Sequence, residues 1–389
     1  MRIAVPIHSF EPGGVERVAL RLARKWQDCG QDVEIVLGRD RGVCRDDRPD
    51  LDYVTRPEPI STASWETLWL IWHLWHYLRQ NQVNVIFCAG NTYTIVCVAM
   101  RVLLGKRCPP VLVKISNDVD RKDFPGFIRV LYRQWLRIQG KLLDHFVALG
   151  DPMKPEIVRE LGIAADRVTT IPDPALAEAE IAAMRDRPAS SPGNRGVHVV
   201  SLGRLAGQKN YPLLVEAFLR FAGPDDRLTI AGEGPGMSAL ERQIAAAGAQ
   251  DRVVLAGHVS DIAGLLATGD VFALSSDYEG VPAVIVEALA AGLPLAVTNS
   301  CVSMPWLLQN GRFGALAKVG DADDLASAIR QAASIAPPVA EMRAFASRFT
   351  LEQASDHYLA LLSALADRSR VERPSSSADS AFEMGGNGI

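Results

Sequence analysis

Short apolar runs alternate with helix-length amphipathic segments through most of the chain. Runs at 2–7, 33–37, 84–88, 111–115 and 145–149 read as strands, with helices at 14–28, 65–80, 92–104 and 127–142 between them. A second series places strands at 197–202, 227–231, 253–256, 271–274 and 294–297, and helices at 210–222, 236–247, 260–267, 283–291 and 322–335. Such alternation puts strands into parallel sheets with helices on their faces. The periodicity lapses over residues 184–196, rich in Arg, Pro, Ser and Gly, which read as a linker. The pattern therefore predicts an α/β protein of two similar doubly wound domains, 1–183 and 197–350, with the cleft between them as the ligand site. An amphipathic helix at 351–366 is expected to pack back on the first domain. The tail 368–389, with its Pro-Ser-Ser-Ser and Gly-Gly-Asn-Gly, is expected to be disordered.

Composition narrows the class. With 389 residues, 48% of them hydrophobic, the chain can bury two cores, and a net charge of −4 argues against nucleic acid as a partner. The charge is uneven: residues 1–150 carry 21 basic and 16 acidic side chains, and the remainder carries 20 and 29. The two halves are thus expected to face different partners. The six cysteines include no Cys-x-x-Cys, and neither a zinc site nor a disulfide framework is indicated. No apolar run approaches the roughly 18–20 residues of a membrane span, and the start lacks a signal peptide's apolar core. A cytoplasmic, reduced protein is expected.

The most informative stretch is Ser275-Ser-Asp-Tyr-Glu-Gly-Val-Pro-Ala-Val-Ile-Val-Glu-Ala-Leu-Ala-Ala-Gly-Leu-Pro294. A strand feeds a loop with Gly280, Pro282 opens a helix and Gly292 closes it. A helix start offers free N–H groups and positive dipole to a phosphate. Carboxylates accept hydrogen bonds from hydroxyls, so Glu279 and Glu287 flanking that turn suit a nucleotide sugar. Glu279 could instead be a solvated loop residue and Glu287 a helix residue paired to a Lys or Arg, but Glu287 lies in an apolar stretch, where a lone charge needs a partner. Ser201-Leu-Gly-Arg-Leu-Ala-Gly-Gln-Lys-Asn210 sits on the same carboxyl edge, and from there Arg204 and Lys209 could reach a diphosphate. Ala231-Gly-Glu-Gly-Pro-Gly236 fails as a dinucleotide fingerprint, because position 237 is Met237. A tight turn near a nucleotide base is expected there.

Together these stretches resemble the family-4 retaining glycosyltransferases of the GT-B fold, from Gly13-Gly14 to about residue 366. The Glu-x7-Glu motif, Glu279 to Glu287, carries most of the resemblance. Gly203-Arg204…Lys209-Asn210, Ile171-Pro172-Asp173-Pro174 (Asp where the family has Asn) and Pro12-Gly13-Gly14-Val15-Glu16 add to it. The resemblance implies two Rossmann-like domains, the first for acceptor and the second for donor. It implies that Arg204 and Lys209 hold the donor diphosphate, Glu279 the sugar hydroxyls and Glu287 the ribose. The backbone of Gly280, Val281, Pro282 and Ala283 would meet the phosphates, and Gly13 and Gly14 would close on them. No metal or other cofactor is implied, the cations and helix start neutralising the leaving group. Where the family often carries a His, this chain reads Lys114-Ile-Ser-Asn-Asp-Val-Asp-Arg121; Asn117 and Asp118 are candidates to contact sugar or acceptor instead, and His8 is a third. The implied reaction is sugar transfer with retention to a lipid-linked or polysaccharide precursor. An epimerase or hydrolase on the same scaffold, and a non-catalytic nucleotide-sugar-binding subunit, are the alternatives.

On the acceptor side, Arg129, Arg133, Arg137 and Lys141 recur every four residues opposite Ile128, Leu131, Trp135, Ile138 and Leu142. That pattern fits an interfacial helix on anionic lipid, and equally a core-facing helix with a solvated face. The tryptophan-rich stretch 65–76 is expected to pack on the sheet. Its His73 and His76 lack a third ligand, so no metal site is expected there.

Overall fold

The computed structural model describes residues 1–11, 14–42, 44–46, 48–58, 61–120, 125–185 and 196–372. The first sheet contains β1 (Arg2–Ile7), β2 (Asp32–Leu37), β3 (Asp52–Val54), β4 (Val85–Cys88), β5 (Val111–Lys114), β6 (His145–Ala148) and β7 (Val168–Thr170). Around it lie α1 (Gly14–Asp28), α2 (Glu66–Gln80), α3 (Thr94–Leu104), α4 (Gly126–Leu142) and α5 (Met153–Leu161), whereas α6 (Glu178–Arg185) packs against helices of the second domain. The second sheet contains β8 (His198–Leu202), β9 (Arg227–Ala231), β10 (Val253–Gly257), β11 (Val271–Leu274), β12 (Leu295–Thr298) and β13 (Gly314–Ala317). Its helices are α7 (Tyr211–Phe221), α8 (Met237–Ala246), α9 (Ile262–Thr268), α10 (Ala283–Ala291), α11 (Met304–Leu307), α12 (Ala322–Ser334) and α13 (Val339–Ala346), and α14 (Leu351–Glu372) follows them back to the first domain.

Both sheets are parallel, in the orders β3-β2-β1-β4-β5-β6-β7 and β10-β9-β8-β11-β12-β13. The strand order reverses between β1 and β4 and again between β8 and β11, giving two doubly wound domains, each with a ligand crevice at its switch point. The central strands are buried on both faces, which explains their continuous Val, Ile and Leu runs.

The sequence pattern does not predict β3, β7 or β13. The first two are three residues long, all three lie at sheet edges, and pairing with a neighbour rather than an apolar run defines them. The boundaries also move. α6 runs to Arg185, so Met184 and Arg185 of the expected linker are helical, and residues 186–195 lie outside the described residues. α14 extends to Glu372, so 368–372 of the expected tail are helical, and 373–389 lie outside the described residues.

The chain crosses between the domains twice, and the crossings bond to each other. Leu176 and Thr350 form a parallel bridge, with the Leu351 N–H donating to the Leu176 carbonyl at 2.8 Å. Beyond that point α14 lies against α1, β4 and β5 of the first domain. Its Tyr358 is fully buried, with ring centroids 6.1 Å from Trp26 and 5.4 Å from Phe87. Near the same crossing Asp173, of the Ile-Pro-Asp-Pro turn, forms an ion pair at 2.8 Å with Lys114 at the end of β5. The two residues are only 7% and 2% exposed. Asp at that position thus has a matching cation.

Candidate functional site

The carboxyl edges of β8 and β11 build one side of the cleft. The turn Gly207–Lys209 ends at Asn210 in a left-handed conformation (φ 44°), which asparagine tolerates. Side chains then stitch this turn to the loop after β11. The Asn210 amide donates to Asp277 at 2.8 Å, the Gln208 amide to the Tyr278 carbonyl at 2.8 Å, and the Ser275 hydroxyl to the Lys209 carbonyl at 2.8 Å. So held, Lys209 reaches Glu279, Nζ to Oε1 2.6 Å. Arg204 is exposed and forms no ion pair among the described residues. The glycines after β9 serve a backbone crossing: a Cβ on Gly232 would lie 2.0 Å from the Gly203 carbonyl oxygen.

Helix α10 spans the expected 283–291, with Pro282 as its N-cap rather than its first helical residue. Proline brings no side-chain acceptor, and no side chain caps the first turn. Gly292, at φ 83°, closes the helix in the left-handed region. One and a half turns in, Glu287 is 3% exposed, and its Oε2 has no hydrogen-bond partner. Burial raises its pKa, Glu180 adds to this, and Arg17, Arg21 and Lys209 oppose it. An orphaned buried carboxylate in a packed helix is costly unless hydrogen-bond donors reach it.

The first-domain wall comes from the ends of β1, β4 and β5 and the start of α1. Gly14 is exposed, and a Cβ there would meet nothing within 4 Å. Gly13 lies outside the described residues. Arg17, which sequence reasoning passes over, sits in the first turn of α1 and bears electrostatically on Glu287. A cation at a helix start opposes the helix dipole, which was the available signal for an anionic ligand. His8 directly follows β1, stacks on Tyr93 at 4.7 Å and pairs Nε2 with the Thr67 hydroxyl at 3.3 Å. Burial lowers its pKa below the ordinary histidine value, against the nearby carboxylates of Glu66 and Glu16. Tyr93 in turn donates to Glu16 at 2.8 Å. His8 therefore belongs to a buried polar chain, 8% exposed, rather than standing free at the strand end.

Asn117 and Asp118 come to the donor loop itself. Asn117 pairs with Gly280 in an antiparallel bridge, and Asp118 Oδ2 accepts the Val302 N–H at 2.8 Å. Among the described residues no group of three or more His, Cys, Asp or Glu is placed to hold a metal ion. His73 is buried with Nδ1 3.1 Å from the Leu37 carbonyl, and desolvation pulls its pKa down to about 4.

Helix α4 turns its charges differently from the expected stripe. Arg129 pairs with Asp120, and Arg133 reaches both Asp120 (3.5 Å) and Glu160 (3.2 Å), so these two cations serve the fold. Arg137 and Lys141 are exposed. Of the expected apolar face, Trp135 and Leu142 pack inward, whereas Leu131 is 67% exposed. Phe127 is 72% exposed, and Ile128, Val130 and Ile138 also face out; on neighbouring α3, Val102 and Leu103 are exposed as well. Residues 121–124 lie outside the described residues. Among the described residues no helix is long and apolar enough to cross a membrane.

Comparisons with known proteins bear on this geometry. Residues 12–174 match the model described as Glycosyltransferase Family 4, and residues 185–348 match Glycosyl transferases group 1. The lipopolysaccharide core biosynthesis glycosyltransferase LpsE of Rhizobium meliloti is 33% identical over 182 residues, 46% of this chain. The match spans about half of that relative, 51% of its length. Mannosylfructose-phosphate synthase of Agrobacterium fabrum is 25% identical over 75% of this chain and 72% of its own. In fold, the chain is similar to HepE of Anabaena, solved in complex with UDP, at TM-score 0.72 and 19% identity over 94% of this chain and 100% of that one. With two doubly wound domains, the Glu279–Glu287 helix at their cleft and both family models matched in order, the chain belongs to the family-4 glycosyltransferases of the GT-B fold.

Proposed function

We propose that the protein transfers a sugar, with retention and without a metal, from a nucleoside diphosphate sugar to a lipid-linked or polysaccharide precursor in lipopolysaccharide or exopolysaccharide assembly. The orphaned carboxylate of Glu287 carries the donor half of this reading: ribose hydroxyls are the donors it lacks. Arg204, Lys209 and the uncapped start of α10 supply positive charge for the diphosphate. In the reaction the bond from the anomeric carbon to the diphosphate breaks, its electron pair leaving on the diphosphate, as one to the acceptor oxygen forms and the acceptor hydroxyl's proton passes to the departing phosphate. These groups stabilise the charge gathering on the leaving phosphates. The names of LpsE and of the UDP-bound HepE support the pathway and the nucleotide.

A thermal-shift panel of UDP, GDP, ADP and dTDP sugars on wild type and Glu287→Ala tests the donor half. One nucleotide should raise the melting temperature by mass action, and its affinity should fall on the order of 10²-fold in the variant as two hydrogen bonds to a charged group are lost. The sign with pH follows from the raised pKa of Glu287. Without nucleotide, its burial costs stability at neutral pH, and the cost lifts as pH falls through the raised value. Hydroxyl donors favour the ionised form, so nucleotide affinity should weaken as pH falls through that range, and stay flat in Glu287→Gln. A flat melting temperature with all four nucleotides would sink the donor reading.

The acceptor half rests on the apolar ridge of α3 and α4. The same two helices and the turn after α3 carry Lys106, Arg107, Arg137 and Lys141, all exposed and without an acidic partner among the described residues. Apolar side chains together with unpaired cations suit the interface of an anionic bilayer, where each nearby cation is worth about 1 kcal/mol. Phe127→Ser/Leu131→Ser is expected to lower sedimentation with phosphatidylglycerol vesicles about tenfold or more, while turnover on a soluble acceptor persists. Unchanged sedimentation would remove the membrane from the proposal.

A further inference from the structure

The loop after β5 is where family members often carry a histidine, and here Ser116-Asn-Asp118 bonds directly to the donor domain. Three contacts join it to two donor-domain loops. Asn117 bridges Gly280, the Asp118 N–H donates to the Glu279 carbonyl at 3.4 Å, and the Asp118 carboxylate accepts the Val302 N–H at 2.8 Å. Glu279 is itself tied to the second of those loops, its N–H donating to the Ser300 carbonyl at 3.0 Å. From the first domain, Asp118 thereby holds both flanks of the segment that carries Glu279.

Gly280 supplies a second, independent observation. Its φ lies outside the left-handed region, so torsion does not demand glycine there. Space does: a Cβ on Gly280 would lie 2.2 Å from the Ser116 carbonyl oxygen and 3.0 Å from the Asn117 Cα. The clash is entirely with the opposite domain. Behind Ser116 the packing is equally close. Its N–H donates to the Asn91 side chain at 2.9 Å, and a Cβ on Gly90 would meet the Ser116 hydroxyl at 2.6 Å and Val15 at 2.7 Å. The loop is thus backed by the ends of β4 and α1 and has nowhere to retreat.

We propose that residues 116–118 form an interdomain clasp, and that Asp118 is a positioning residue. It fixes Glu279 in the closed cleft rather than touching sugar or acceptor. Gly280 is the notch that lets the clasp seat. This assignment rests on the donor-site reading only in giving Glu279 a donor to meet; the clasp itself is a contact between domains.

Three variants and two readouts test it. In Asp118→Ala the carboxylate acceptor is lost, whereas in Asp118→Asn the side-chain oxygen can still accept the Val302 N–H. Gly280→Ala drives the loops apart without altering the permitted torsion. Small-angle scattering, which needs no substrate, should report an enlarged radius of gyration for Asp118→Ala and Gly280→Ala and the wild-type value for Asp118→Asn. With a nucleotide-sugar donor, the donor KM should rise about tenfold or more in the two opened variants with a smaller change in kcat, and Asp118→Asn should restore it. Wild-type scattering and KM in Asp118→Ala would overturn the clasp. So would an Asp118→Asn variant as inactive as Asp118→Ala with unchanged scattering, since that marks a carboxylate acting on substrate. If wild type bound no nucleotide, the donor reading would fail while the scattering arm still judged the clasp.

Discussion

Replacing Lys209 with alanine is expected to lower turnover by about 10²–10³-fold, the scale of losing one preorganised group that stabilises developing charge. Two effects combine. The ammonium is tied into the cleft by geometry, since the turn carrying it is bonded to residues 275–278 at three side-chain contacts. Its removal also strips Glu279, a buried carboxylate, of its 2.6 Å partner. Lys209→Arg keeps the charge on a differently shaped head, so it should recover part of the loss and separate charge from fit. Steady-state kinetics of sugar transfer, with the melting temperature as a folding control, checks this. Turnover within a fewfold of wild type in Lys209→Ala would show that Arg204 and the start of α10 suffice.

Asp173→Asn is expected to destabilise the protein by about 3–5 kcal/mol, although it installs the residue that related sequences carry in this turn. The reason is Lys114, 2% exposed and 2.8 Å from the carboxylate. A neutral amide leaves that ammonium charged and dry. Breaking a buried pair costs far more than replacing both members, so Lys114→Met/Asp173→Asn should recover most of the loss. Urea denaturation of the single and double variants measures it. A single variant as stable as wild type would mean that water reaches Lys114.

What the sequence discloses depends on how far apart the cooperating residues lie. Helix α10 is legible because proline, glycine and the Glu279–Glu287 spacing all fall within one short stretch, and the apolar neighbours of Glu287 already mark it as a buried charge. The central strands are legible because burial on both faces writes an unbroken apolar run. The edge strand β3 is not, since Asp-Tyr-Val becomes a strand only by pairing with β2. Periodicity finds that α4 has two faces but not which one turns inward. That is decided by Asp120 and Glu160 elsewhere in the chain, which draw in Arg129 and Arg133. Lys114 and Asp173 read separately as an ordinary strand-end cation and an ordinary turn residue. Asp118 and Val302, 184 positions apart, become neighbours only once both domains exist.

The return of α14 to the first domain has a consequence for synthesis. Trp26 and Phe87 are made early, yet the ring that covers them belongs to Tyr358. While the ribosome adds the entire second domain, the first must wait with an apolar face of α1 and β4 uncovered. Its final closure is a contact of very long sequence separation, the kind that slows folding and exposes intermediates to aggregation. A nascent chain halted before residue 358 is therefore expected to keep that face uncovered, and the last helix is what closes it.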